Sequence, residues 1–149
     1  MASPQQQIKF EHWANSQSLE AILAAQSDSE ALSLLAHVVA ISNFWAARVE
    51  GAPSTLDPWP NRTVSELNTE LVHLRNRWVR LADCTALDAQ VQYRNRTGES
   101  CSNLFGEVLQ EILLHGAHHR GQIALALRSK GFDPPRSTDF IPALRTQAF

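Results

Sequence analysis

Helix-start signals divide this 149-residue chain into long segments, and they constrain its fold more than any other feature of the sequence. The letters SDSE at 27–30 and TVSE at 63–66 each place Ser or Thr three residues before Glu, which is the pattern of a capping box. Ser3-Pro4 is a third start, because proline is favoured at the first helical position. The sequence therefore predicts three helices, which run from 3 to about 26, from 27 to near 51 and from 63 to about 83.

The region after the third predicted helix has a different pattern. Ala89, Val91 and Tyr93 alternate with polar residues, and this period of two predicts a short strand. The letters NRTG at 95–98 are typical of a turn, so a small hairpin is expected here.

A fourth helix is predicted from Ser102 or Asn103 to about 130, where Gly131 is a suitable terminating residue. The stretch at 52–62 contains three prolines and is expected to be a loop, and the tail at 137–149 is expected to be ordered against the body. These elements predict an all-α fold, a four-helix bundle with a small β-hairpin insertion before the last long helix, in a single domain over 1–149.

The charge balance excludes some classes of partner. Thirteen basic and 15 acidic side chains give a net charge of −2, which provides no general attraction for phosphate backbones, so no nucleic-acid partner is expected. No apolar run approaches the length of a membrane span, and the first residues do not resemble a secretory signal. Cys84 and Cys101 lack the spacing of a zinc ribbon or a disulfide framework. We therefore expect a cytoplasmic, reducing setting and no membrane partner.

Six histidines are the chemically distinctive feature of the composition. His115 and His119 lie on the same face of the fourth predicted helix, and that face is apolar and therefore inward. Two inward histidines four residues apart can bind one metal ion, as in the HExxH pattern, although Gly116 stands here where that pattern has Glu. By themselves the two residues are more typical of core or surface histidines than of a metal site.

His37 is the best candidate for a third ligand. It shares a predicted inward face of the second helix with apolar residues, although a hydrogen-bonded core histidine has the same pattern. Three histidines would leave coordination positions open for water or substrate, which is typical of a catalytic site. His12 and His73 are expected to pack or to lie at the surface, and His118 is expected at the border of the site.

Two further side chains of the fourth helix are close to this face, and a third lies away from it. Glu111 and Gln122 could each orient a ligand through its free ring nitrogen, although Glu111 could equally be a solvated boundary residue. Arg120 falls on the side predicted to face solvent, where we expect a structural role in pairing with a carboxylate or a loop carbonyl.

The letters HGAHHRGQI at 115–123 resemble the HxxHHRGQ signature of the DinB-like (DNA-damage-inducible) metal-binding family. The letters WAN at 13–15, LAHV at 35–38 and STDFI at 137–141 are similar to other segments of that family, in the same order. The resemblance implies a four-helix bundle that forms a homodimer and holds zinc, nickel or iron through His37, His115 and His119.

The resemblance also implies a class of chemistry. Relatives of this fold include bacillithiol- and mycothiol-dependent enzymes, so thiol S-transferase chemistry on a small-molecule substrate is the favoured function, with a low-molecular-weight thiol as cofactor. A metal-dependent hydrolase and a non-catalytic metal-binding dimer are the alternatives. DNA binding rests only on the name of the family, and the net charge argues against it.

Overall fold

The described residues of this computed structural model, 2–53, 55, 57–95 and 97–149, form five helices and one antiparallel hairpin. The helices and strands are α1 (Pro4–Ala24), α2 (Ser29–Val49), α3 (Val64–Cys84), β1 (Gln90–Arg94), β2 (Ser100–Leu104), α4 (Phe105–Ser129) and α5 (Phe140–Arg145). The four long helices form the predicted bundle, and the hairpin precedes the last long one as expected. The additional helix, α5, is a short segment of the tail.

Local hydrogen bonds explain where two of the helices begin. Ser3 caps α1, since its hydroxyl accepts from the Gln6 amide and the Gln6 side chain accepts from the Ser3 amide. Thr63 and Glu66 form the same reciprocal capping box at the start of α3. Both starts agree with the sequence prediction.

The start of α2 differs from the prediction by a small shift. The capping residue is Asp28, whose carboxylate accepts from the Ala31 amide at 3.0 Å, and the helix begins at Ser29. Ser27 has a φ of +60° and belongs to the turn that ends α1, so it does not form the predicted capping box. The Asp28 carboxylate caps this helix terminus without a reciprocal bond from the Glu30 side chain.

The start of α4 was predicted too early. Ser102 and Asn103 belong to β2, where they pair with Gln92 and Val91, and α4 begins at Phe105. Both residue types are good helix caps, so the local sequence favoured a cap at a position where strand pairing prevails. The predicted turn at 95–98 includes Arg96, which lies outside the described residues. Gly98 in that turn has a φ of +85°, a conformation that favours glycine.

The core lies between two pairs of helices, with α2 packed most extensively on α4 and α1 on α3. The Trp78 ring of α3 lies roughly parallel to the Phe105 ring of α4, with 6.4 Å between their centroids. The Trp78 indole N–H donates to the Ser42 hydroxyl of α2. A second, smaller cluster joins α1 to the tail, because Phe10 contacts Phe140 edge-to-face. These contacts fix α2 and α4 side by side, and that arrangement positions the histidines.

One helix of the described residues, α2, is long and apolar enough by length and composition to cross a membrane. The buried core helix of a folded protein passes the same test, and α2 packs against α3 and α4 with Leu35 and Val39 fully buried. Its apolar character is therefore weak evidence for a membrane span.

Replacement of Thr63 by alanine should destabilise the chain by about 1 kcal/mol, because it removes the acceptor for an otherwise unpaired amide at the start of α3. Urea unfolding followed by circular dichroism measures the change. Thr69→Ala is the matched control, since Thr69 is exposed on the same helix and alanine has the higher helix propensity. An equal loss from Thr69→Ala would contradict the capping explanation.

Candidate metal centre

Helices α2 and α4 bring His37, His115 and His119 together. One ring nitrogen from each histidine lies within 4.8 Å of the others, and Nε2 of His37 is 3.2 Å from Nε2 of His115. His37 and His119 are buried, and His115 is half-buried. The i, i+4 spacing on α4 directs two rings towards α2, and the position of His37 on α2 supplies the third.

The tautomer of His37 follows from its contact with a loop. Nδ1 of His37 is 2.5 Å from the Pro58 carbonyl oxygen, and a carbonyl oxygen can only accept. Nδ1 therefore carries the proton and donates, which leaves Nε2 with a free lone pair facing the other two histidines. This is the usual way in which the second nitrogen of a metal-binding histidine is held.

The tautomer of His119 is fixed within its own helix. Its Nδ1 is 2.6 Å from Oε1 of Gln122, so Nδ1 donates and Nε2 is left free. The amide nitrogen of Gln122 points to His118, at 3.3 Å from Nε2 of that ring. Gln122 thus orients a histidine as the sequence suggested, whereas the other candidate, Glu111, is exposed.

The surroundings of His115 and His119 favour the neutral form of both rings. Burial, together with the smaller effect of the neighbouring rings of His119, His37 and His118, lowers the pKa of His115 to about 4. Burial also lowers the pKa of His119, against the opposing effect of its hydrogen bond to Gln122. Neutral imidazoles have the lone pairs that a metal ion requires, so His115 and His119 are ready to coordinate at neutral pH.

The donor set fits a divalent ion. Two imidazole nitrogens that bind one tetrahedral ion at about 2.05 Å lie about 3.3 Å apart, close to the 3.2 Å between the Nε2 atoms of His37 and His115. Three neutral nitrogen ligands suit zinc, nickel or iron. The free lone pairs of His37 and His119 face into the same cluster, where a cation would satisfy both.

An aromatic residue of the 52–62 loop covers His37. The Trp59 ring lies parallel to the His37 ring, with 3.9 Å between centroids and 9° between planes, and 52% of Trp59 is exposed. Sequence reasoning assigned this stretch only to a loop and missed the contact. The flanking prolines in the letters DPWP at 57–60 are a local signal of a rigid aromatic residue. Ser54 and Leu56 of the loop lie outside the described residues.

The prediction that Arg120 faces solvent was wrong, because only 5% of this residue is exposed. Its Nη1 lies 2.8 Å from Oε1 of Glu11 and 2.8 Å from Oδ1 of Asn15, both on α1. The expected structural pairing with a carboxylate is therefore present, but inside the bundle. α4 buries two adjacent faces, one against α2 and one against α1, whereas the helical wheel assumed one.

Gly116 makes room for this buried pair. A Cβ atom at position 116 would lie 2.0 Å from Oε1 of Glu11 and 2.7 Å from Nη1 of Arg120. The glycine that breaks the HExxH pattern thus has a steric reason, since the Glu11 carboxylate lies against the backbone of α4. Oε2 of the same carboxylate is buried without a hydrogen-bond partner among the described residues.

The remaining histidines lie apart from the cluster or at its border. His73 is exposed on α3, and His12 is half-buried on α1, as expected for residues outside the site. His118 is exposed, with its ring centroid 5.0 Å from that of His119.

The fold and the site together define a helical bundle with a three-histidine group that could hold a metal ion. Comparison with known families agrees, because the profile of the DinB family matches residues 6–145. The chain belongs to the DinB family. No curated protein matches the sequence significantly.

Proposed function

We propose that this chain is a divalent-metal-dependent enzyme that transfers a low-molecular-weight thiol to an electrophilic small molecule. The observation that supports the proposal is the convergence of three histidine side chains from two helices. Three protein ligands leave coordination positions for an incoming molecule, which distinguishes catalytic from structural sites. His37, His115 and His119 would hold the ion.

A divalent ion at this site would lower the pKa of a water or thiol that reaches it, and the thiolate is the reactive form of a thiol. The residues of the chain supply the orientation. The Pro58 carbonyl and the Gln122 amide fix two of the rings, and neutral ligands leave the charge of the ion undiminished. Cys84 at the end of α3 and Cys101 in β2 lie outside the histidine cluster, so the thiol is expected to arrive with a cofactor.

Hydrolysis is the second candidate, since the same ion would also activate water. Water activation usually relies on a nearby general base. Glu111, the carboxylate that sequence reasoning placed nearest the site, is exposed. Glu111 therefore gives no specific support for hydrolysis, and thiol transfer stays the preferred proposal because it is the chemistry that the family resemblance implies.

Metal analysis and a turnover assay test the proposal in sequence. Protein purified without chelators should contain about one divalent ion per chain, as the three-histidine site predicts. It should consume thiols in the presence of alkylating electrophiles, and removal of the ion should abolish this turnover. Ester and amide substrates in the same plates test hydrolysis. Failure to bind zinc or nickel in titrations would overturn the proposal, and binding without turnover would favour the non-catalytic alternative.

Association and location are part of the same proposal. A homodimer is expected from family membership, and light scattering after gel filtration would measure it. Cys84 and Cys101 are both free, which suits the reducing cytoplasm that the sequence suggested. We expect neither nucleic acid nor a membrane as a partner.

A further inference from the structure

Residues Asp57–Pro60, termed here the DPWP arm, make two different contacts with His37. The Pro58 carbonyl oxygen accepts from Nδ1 of the ring at 2.5 Å, and the Trp59 ring stacks on its face at 3.9 Å. One contact fixes the tautomer and the other fixes the plane of the ring. Together they determine where the free Nε2 atom points.

The sequence of the arm makes it rigid. Pro58 and Pro60 have fixed φ angles, and the residues before them, Asp57 and Trp59, are restricted to extended conformations. The Trp59 amide also donates to the Asp57 side chain at 3.1 Å, and Pro60 is buried. Little conformational entropy therefore remains to be lost when Trp59 is held against His37.

The three histidines differ in how they are held. His119 is oriented by Gln122, three residues further along the same helix. Both histidines of α4 also share one rigid helix, which fixes their relative positions. His37 is on α2 and depends on a loop for its Nδ1 partner, so it is the member of the cluster whose orientation depends on a separate segment.

We propose that the DPWP arm is a positioning element of the metal centre, with Trp59 and the Pro58 carbonyl holding His37 in its metal-binding orientation. The inference rests on the proposed metal binding and deepens it. Hydrogen bonding at Nδ1 raises the basicity of the ring at Nε2, where the ion would bind. By reciprocity, a bound ion would strengthen the hold of the arm on His37.

Zinc affinity, measured by competition with a chelating dye, tests this role. Trp59→Ala should weaken binding by about tenfold or more, the usual effect of losing a partner that orients a metal ligand. Trp59→Phe keeps a flat ring that can stack and should bind zinc almost as well as the unaltered chain. Leu23→Ala is the matched control, because Leu23 is another largely exposed apolar residue, on α1. It should leave the affinity unchanged.

Fluorescence supplies a second readout that a purely structural role would not change. Zinc should alter the tryptophan emission of the unaltered chain mainly through Trp59, and most of this response should be lost in Trp59→Phe, which keeps the other three tryptophans. Circular dichroism melting checks that each variant folds. If Trp59→Ala does not fold, the emission change measured with Trp59→Phe still tests the proposal.

The possible outcomes distinguish a failure of the proposed role of the DPWP arm from a failure of the proposed metal binding. Unchanged affinity in a folded Trp59→Ala variant, or a zinc response of undiminished size in Trp59→Phe, would overturn the role of the arm while metal binding stands. An unaltered chain that binds no zinc would instead overturn the proposed function itself.

Discussion

Alanine in place of His119 is expected to weaken zinc binding by about a hundredfold. Apparent binding energies of complete zinc sites are about 10–16 kcal/mol, or roughly 3 kcal/mol for each protein ligand, and every 1.4 kcal/mol is about a factor of ten. His119 is suited to this test because it is buried and its tautomer is fixed by Gln122. Isothermal titration or dye competition gives the affinity.

A second consequence of the same substitution appears in thermal melting. Zinc that binds only the folded state should raise the melting temperature of the unaltered chain, and this gain should disappear in His119→Ala. His73→Ala is the matched control, since His73 is exposed on α3 and should leave both measurements unchanged. If His119→Ala bound zinc as tightly as the control, the three-histidine site would not be the site of binding.

Loss of Arg120 should have the largest effect on stability. Arg120→Ala leaves the Glu11 carboxylate buried in the bundle without its charge partner, and breaking such a pair typically costs about 3–5 kcal/mol. Urea unfolding gives the change in free energy. Arg128→Ala is the control on the same helix, because Arg128 is exposed and should contribute about 1 kcal/mol or less.

The effect of Arg120→Ala should depend on pH. Burial raises the pKa of Glu11, and Arg120 opposes that shift, so the variant should have a still higher pKa at this carboxyl. A carboxyl whose pKa is raised by folding favours the folded state below its unfolded pKa, and this contribution is lost as the pH rises. The destabilisation should therefore be greatest near neutral pH and should decrease as the pH falls.

Neutralising the carboxyl provides a complementary test. The Glu11→Gln substitution in the Arg120→Ala background removes the unpaired charge and should recover part of the lost stability. No recovery, together with a loss that is independent of pH, would show that Arg120 stabilises the bundle through packing of its side chain alone.

Local sequence signals predicted the features that depend on local physics. The caps at Ser3 and Thr63 are decided within four residues, so the helix starts could be assigned from the sequence. The i, i+4 spacing of His115 and His119 fixes a shared face in any regular helix, and the apolar neighbours of His37 indicated its inward face. The candidate ligands therefore followed from periodicity.

Features that depend on distant partners could not be predicted in the same way. The buried environment of Arg120 comes from Glu11, which is 109 positions away on α1, and no pattern around Arg120 indicates this partner. The contact of Trp59 with His37 depends on where the loop lies against α2. The early start predicted for α4 failed for the same reason, since Asn103 pairs with Val91 across the hairpin.

The separation of the histidines along the chain has a consequence for unfolding. His37 and His115 are 78 positions apart, so an ion bound to both would act as a removable cross-link between α2 and α4. Unfolding would then require release of the ion, and the lifetime of the native chain would lengthen when metal is plentiful. Proteolysis that depends on opening of the bundle would slow under the same conditions, so cellular metal supply would influence the turnover of the protein.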